Sequence, residues 1–151
     1  FKLECLAVKK AQDKGFSNII VMIPFCRTVN EAKKVLKLIS LNSLKNIKVY
    51  MMCEIPSNII LVDQFANLFD GFSIGSNDLT QLILGVDRDE ASLSSIFDTQ
   101  NEAVKIAIAE FIKKAHKKHK KVGICGQAPS DFPEFAKFLI KNKIDSIACF
   151  I

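Results

Sequence analysis

Two carboxylates in this chain each stand at the end of an apolar run. Glu54 closes KVYMMCEI, and Asp78 follows GFSIG with Asn77 beside it, in Gly75-Ser76-Asn77-Asp78. If the two runs are neighbouring parallel strands, they lie about 4.8 Å apart, a gap that one hard cation can bridge. Mg²⁺ is the natural candidate, because it takes a few carboxylates and keeps waters or substrate oxygens as its remaining ligands. Each residue alone also has a plainer reading. Glu54 fits a first-turn carboxylate of the helix that Pro56-Ser57 opens, and Asp78 fits the N-cap of a helix over Leu79 to Leu84. Their occurrence at consecutive run ends favours a ligand pair.

Other residues at run ends could join them. Cys125 sits between glycines in VGICGQAP, where the backbone can approach a ligand closely. A thiol, with an ordinary pKa of about 8.5, is easily recruited as acid or base; a small buried residue is the simpler alternative. Arg88, in Asp87-Arg88-Asp89, is either a surface ion-pair residue or a clamp for a carboxylate or phosphate. Arg27 follows the run VMIPFC and is a weaker candidate of the same kind. His116 and His119 fall within KKAHKKHKK, away from every run end, and carry no catalytic expectation.

These residues need a scaffold that gathers strand ends. Helical spacing is predicted over Leu3 to Lys14, stopped by Gly15, and a strand over Asn18 to Phe25. Thr28 and Glu31 have capping-box spacing for a helix over about residues 29–39. A strand over Lys48 to Ile55 is followed by a helix whose apolar positions are Ile59, Ile60, Val62, Phe65, Ala66 and Phe69. Gly71 to Gly75 is a third strand, residues 99–118 a long helix, and Lys121 to Cys125 a fourth strand. Asp131 and Glu134 fit a second capping box with Pro133 early in its helix. Ile144 to Phe150 is a fifth strand.

Short apolar strands alternating with helices imply an α/β fold with a parallel sheet covered by helices. Ligands of such folds bind at the C-terminal strand ends, where the candidates lie. The pattern alone leaves an open doubly wound sheet and part of a (β/α)8 barrel equally available. Five strands are too few for a closed barrel, which needs eight and usually about 250 residues. Neither a Gly-x-Gly-x-x-Gly fingerprint after the first strand nor a Walker sequence is present.

The chain has 151 residues, 49% apolar and 25% charged, with a formal net charge of +5. Much of that charge lies in Lys113 to Lys121, at the end of the long helix, where the dipole favours cations. It is read as a solvated helix end; a nucleic-acid partner is not expected. No apolar run approaches the about 18 residues of a transmembrane helix, and the first residues lack a signal-peptide pattern. A membrane partner is therefore not expected either. Cys5, Cys26, Cys53, Cys125 and Cys149 form no Cys-x-x-Cys pair and read as reduced thiols of a cytoplasmic protein.

Four segments, VMIPFCRT, YMMCEIPSN, GFSIGSNDLTQLILGVDRD and VGICGQAPSD, carry a family resemblance through nearly the whole chain. Their order and spacing resemble the C-terminal barrel of the phosphoenolpyruvate-utilising phosphotransferases. That family comprises the phosphoenolpyruvate synthases (pyruvate, water dikinases), the pyruvate phosphate dikinases and enzyme I of the sugar phosphotransferase system. CEIPSN together with GICGQAPSD is most similar to the synthase branch.

The resemblance implies a partial (β/α)8 barrel, with barrel strands four to eight and the intervening helices present. It implies Mg²⁺ held by Glu54 and Asp78, and substrate contacts from Asn77, Arg88, Gly75 and Ser76. Cys125 matches the cysteine that exchanges the methyl proton of pyruvate. The whole-protein reaction so implied is ATP + pyruvate + water to AMP + phosphoenolpyruvate + phosphate, with a histidine on a swivelling domain as phosphoryl carrier. Residues 1–151 would then be the C-terminal part of the barrel domain. The first three strands, the nucleotide-binding domain and the phosphohistidine domain would lie outside it, and this piece alone would be inactive. An exposed sheet edge would favour a homo-oligomer. The alternatives are the dikinase, another Mg-dependent phosphoenolpyruvate/pyruvate enzyme, or a non-enzymatic dimerisation module.

Overall fold

The computed structural model describes residues 1–42, 44 and 46–148. Its centre is a parallel sheet of β1 (Ile20–Ile23), β2 (Lys48–Cys53), β3 (Gly71–Gly75), β4 (Lys121–Cys125) and β5 (Ser146–Ala148). Every strand pairs with its sequence neighbour, in the order β1-β2-β3-β4-β5. A doubly wound sheet reverses strand order at a switch point, whereas a (β/α)8 barrel never does. The topology is that of a barrel arc, and the choice left open by the sequence pattern is made.

The outer layer consists of α1 (Lys2–Asp13), α2 (Val29–Leu41), α3 (Pro56–Ile60), α4 (Val62–Ala66), α5 (Ser76–Leu84), α6 (Glu102–Lys117), α7 (Ala128–Asp131) and α8 (Pro133–Lys141). Alternate strand residues pack against it. Val49, Met51, Cys53, Phe72, Ile74, Val122 and Ile124 are buried in one core with Phe65, Phe69, Ile108, Phe111, Phe135 and Leu139. Phe72 meets Phe111 edge to face, ring centres 5.2 Å apart. The intervening strand residues, among them Ser73, Gly75 and Gly123, turn to the concave face. There the Tyr50 ring covers Gly71, and the Ser146 and Ser73 hydroxyls approach Gly123. At the edge, Ile20 and Met22 of β1 remain 48% and 38% exposed.

Several boundaries differ from the sequence pattern for identifiable reasons. β1 stops at Ile23 because Pro24 has no N–H for the ladder and Phe25 turns into the left-handed region at φ 52°. The helix expected after Pro56 breaks at Leu61 into α3 and α4, which changes the helical phase and leaves Ile60 exposed. The capping box at Thr28 and Glu31 forms. The one read at Asp131 and Glu134 does not: Asp131 ends α7, and Phe132 is the N-cap of α8. A residue before proline is driven to extended backbone, which Phe132 adopts at φ −127°, ψ 96°. The fifth strand is observed over Ser146–Ala148; Cys149 and Phe150 lie outside the described residues.

Candidate active site at the strand ends

The parallel register aligns the candidates. Cys53 pairs with Ile74, which sets Glu54 beside Gly75, and Gly75 pairs with Cys125. Glu54, Gly75 and Cys125 therefore form one row across three strands on the concave face.

Glu54 is 3% exposed. Its Oε1 accepts a 2.6 Å hydrogen bond from the Phe25 N–H, across the sheet from its own helix. That contact disposes of the simple first-turn reading. Its Oε2 hangs over Gly75, 2.8 Å from where a Cβ would stand, so only glycine leaves room for the carboxylate. Burial pushes the Glu54 carboxyl above the ordinary carboxylate range; the Phe25 N–H opposes this, and the charge of Asp78 adds to it.

Asp78 lies in the first turn of α5, whose N-cap is Gly75 rather than Asp78 itself. From there its charge acts on the Glu54 carboxyl. At the same turn Ser76, fully buried, donates to the Cys125 carbonyl at 3.1 Å, and Thr80 donates to the Ser76 carbonyl at 2.7 Å. A Cβ on Gly126, whose φ is +143°, would collide with the Ser76 hydroxyl and come within 3.7 Å of Asn77 Oδ1. Gly126 thus lets the ends of β3 and β4 close on each other, as Gly75 does for β2 and β3.

Beyond this row opens a cavity of about 410 Å³ lined by Asn77, Arg88, Asp89, Phe97, Gly126 and Gln127. Arg88 reaches it because α5 ends at Gly85, left-handed at φ 65°, and the chain folds back so that the Arg88 N–H donates to Gln81 Oε1 at 3.2 Å. The guanidinium is 4.0 Å from Asp89 and partly exposed. The Cys125 thiol is half-buried and donates to the Ile74 carbonyl at 3.5 Å.

The candidates therefore fall into two groups. Glu54 and Asp78 are near enough for the charge of Asp78 to act on the Glu54 carboxyl, while Asn77 and Arg88 share a cavity. Gly75 and Cys125 continue the row from Glu54, and Ser76 is bonded to the Cys125 carbonyl. Arg27 stays apart, 61% exposed at its side chain and beside Glu31. His116 lies at the opposite end of the sheet, bonded to Asp145 at 2.9 Å. Phe97 escaped sequence reasoning because it comes from an irregular loop without periodicity. Asn58, fully buried at the foot of Glu54, escaped because its partners are distant in sequence.

Among the described residues no three His, Cys, Asp or Glu side chains converge as a complete metal-ligand set. Two carboxylates, one raised by its burial and further by the charge of the other, with a glycine leaving room for Glu54 Oε2, fit an ion that keeps other positions for water or substrate oxygens. Among the described residues no helix is long and apolar enough to cross a membrane.

Comparison with known proteins gives a coherent set of likenesses. The family described as "PEP-utilising enzyme, PEP-binding domain" matches residues 1–151. The phosphoenolpyruvate synthase of Aquifex aeolicus is 54% identical across 98% of this chain, and those of Synechocystis and Escherichia coli are each 51% identical. The chain spans 18% of the Aquifex protein and 19% of each of the other two. Among solved structures, an HpcH/HpaI aldolase/citrate lyase family protein from Burkholderia cenocepacia aligns with 96% of this chain and 63% of its own, at TM-score 0.67 and 15% identity. At that identity the likeness speaks for the fold alone.

Proposed function

Because this chain belongs to the PEP-utilising enzymes, matching their PEP-binding domain from end to end, we propose that it forms the pyruvate half-site of a phosphoenolpyruvate synthase. In that reading, residues 1–151 are the C-terminal part of the barrel domain. The exposed concave face at Ile20 and Met22 is covered by the remaining barrel strands. The partners are pyruvate or phosphoenolpyruvate and a phosphohistidine borne by a swivelling domain, itself charged with ATP at a nucleotide-binding domain.

The observation that carries the proposal is the row Glu54–Gly75–Cys125, bordered by the Asn77 and Arg88 cavity. It supports an arrangement with separate places for a cation, a three-carbon acid and a phosphoryl group. Glu54 Oε2 and Asp78 would hold Mg²⁺, which supplies positive charge against the negative charge developing on the pyruvate carbonyl oxygen. The Arg88 guanidinium and the Asn77 side-chain amide donate hydrogen bonds to the transferring phosphoryl oxygens. As thiolate, Cys125 Sγ takes a methyl proton from pyruvate; in reverse, the thiol returns it to the methylene carbon. Phe97 and the close approach of Gly126 to Ser76 limit water around the phosphoryl group, whose hydrolysis would compete with transfer.

The test uses the full-length protein with Cys125→Ala. Phosphoenolpyruvate formation is expected to fall by about 10²–10⁴-fold, the usual worth of a positioned acid or base, while ATP still phosphorylates the carrier histidine. Loss of both activities in a folded variant would refute the assigned role.

A further inference from the structure

We propose that the turn from β1 to α2 is a clamp that turns one carboxylate oxygen of Glu54, Oε2, towards its cation, and that Asn58 and Arg27 are the positioning residues that hold it. The inference rests on reading Glu54 as a cation ligand and adds how that ligand is aimed.

The clamp begins with Phe25. Its N–H donates to Glu54 Oε1 at 2.6 Å, a short bond to a charged acceptor. To aim that N–H, Phe25 takes φ 52°, a conformation that a bulky residue keeps only when its surroundings hold it. Arg27 supplies part of the hold: its guanidinium lies 5.1 Å from the Phe25 ring centre, and its Nη1 donates to the Phe25 carbonyl at 3.3 Å. The Arg27 N–H is itself tied to Glu31 Oε2 at 2.7 Å.

Asn58 supplies the rest. It is completely buried, and its amide joins both sides of the clamp. Nδ2 donates to the Cys26 carbonyl at 2.8 Å, 32 residues away. Oδ1 accepts from the Glu54 and Ile55 N–H groups at 3.3 and 3.1 Å. The neighbouring Ser57 hydroxyl donates to the Arg27 carbonyl at 2.9 Å. One side chain thus fixes the backbone of Glu54 and the loop that hydrogen-bonds its carboxylate.

The Phe25 bond to Oε1 fixes the carboxylate so that Oε2 lies above Gly75, and a two-oxygen grip on a cation would have to share or break that bond. A one-oxygen carboxylate suits Mg²⁺, which demands near-octahedral geometry; Ca²⁺ accepts two-oxygen carboxylates and looser sites. Releasing the clamp should therefore weaken binding and narrow the preference for Mg²⁺ over Ca²⁺.

The test is Mn²⁺ binding to the full-length protein without nucleotide, followed by electron paramagnetic resonance, with Mg²⁺ and Ca²⁺ as competitors. Glu54→Gln defines the part of the signal that belongs to this site. Asn58→Ala is expected to weaken that part by about 10–100-fold, as loss of a ligand-orienting partner usually does, and to narrow the Mg²⁺/Ca²⁺ ratio. Arg27→Ala, at an exposed side chain, should shift both in the same direction by a smaller factor, since Asn58 still holds the loop. Circular dichroism checks that each variant is folded; if Asn58→Ala is not, Arg27→Ala decides. If Glu54→Gln removes the signal while the folded clamp variants bind all three ions as wild type does, the clamp is refuted and the cation site stands. If Glu54→Gln binds Mn²⁺ unchanged, both fall.

Discussion

Glu54 and Gly75 occupy one space: the carboxylate of the first lies where a side chain on the second would begin, Oε2 2.8 Å from an ideal Cβ and the Glu54 Cβ 3.0 Å away. Because Glu54 Oε1 is held by Phe25, the carboxylate cannot retreat without breaking that bond. Gly75→Ala should therefore cost about 1–3 kcal/mol of stability, as overpacking does, yet leave a folded protein that has lost its Mg²⁺ response. Denaturant melts with and without Mg²⁺ check both parts. A variant that melts lower but gains as much from Mg²⁺ as wild type would contradict the geometry.

The Glu54–Asp78 pair makes a prediction about the metal-free protein. Glu54 is buried, and the charge of Asp78 adds to the burial that already disfavours its ionised form. Glu54→Gln keeps the shape and removes the charge, so at neutral pH without Mg²⁺ the variant should melt higher than wild type. Adding Mg²⁺ should reverse the order, because only wild type gains from binding. A calorimetric scan of the two proteins in chelator and in excess Mg²⁺ would show it; an unchanged order would argue that the carboxylates are not a ligand pair.

Arg88 tests the other half of the site. Its fork shares the 410 Å³ cavity with Asn77 and reaches it through the left-handed Gly85. Lysine retains the charge but cannot donate two parallel hydrogen bonds to one phosphoryl group. Losing one charge-assisted hydrogen bond is worth about 1.5–3 kcal/mol, so Arg88→Lys should lower kcat/KM for phosphoenolpyruvate by roughly ten- to hundredfold. Steady-state kinetics in the direction from phosphoenolpyruvate to pyruvate provide the measurement, with wild-type values overturning the assignment.

What the sequence disclosed and what it hid divide along sequence separation. The Gly71–Gly75 strand and the Thr28–Glu31 box are written in contiguous residues, and both appear with the expected bounds and partners. That Glu54 stands at the end of its strand, level with Gly75, was legible because strand ends align in any parallel fold. Asn58 was not, since its value lies in reaching Cys26 across 32 residues of chain. Nor was the left-handed Phe25, which no local preference of phenylalanine announces. Asp131 misled because capping-box spacing was met while Pro133 dictated the backbone of Phe132 instead. Local patterns thus name the donors, and tertiary contacts decide which way they point.

At the opposite end of the sheet the same principle appears as a repeated device that serves the fold alone. Asp70 N–H donates to the Val49 carbonyl at 2.9 Å while its Oδ2 accepts from the Val49 N–H at 2.8 Å, and Asp145 does the same to Val122 at 2.9 and 2.8 Å. Each aspartate stands just before its own strand and fastens the start of the preceding one. Asp145 also takes a 2.9 Å bond from His116. Burial pushes its carboxyl up, but the Val122 N–H and His116 outweigh that and hold it below the usual range. A depressed carboxyl contributes stability that is present above its unfolded value of about 3.9 and is lost as pH falls through the lower folded value. Asp145→Ala should therefore cost about 1 kcal/mol at neutral pH, the low end for an orphaned N–H because Asp145 is exposed to water. The gap to wild type should narrow once the pH drops below the folded pKa, because the charge-dependent part of the contribution is then gone. Urea midpoints for both proteins, measured from neutral pH down into the acid range, would settle it, and a pH-independent gap would show that the charge of Asp145 contributes nothing.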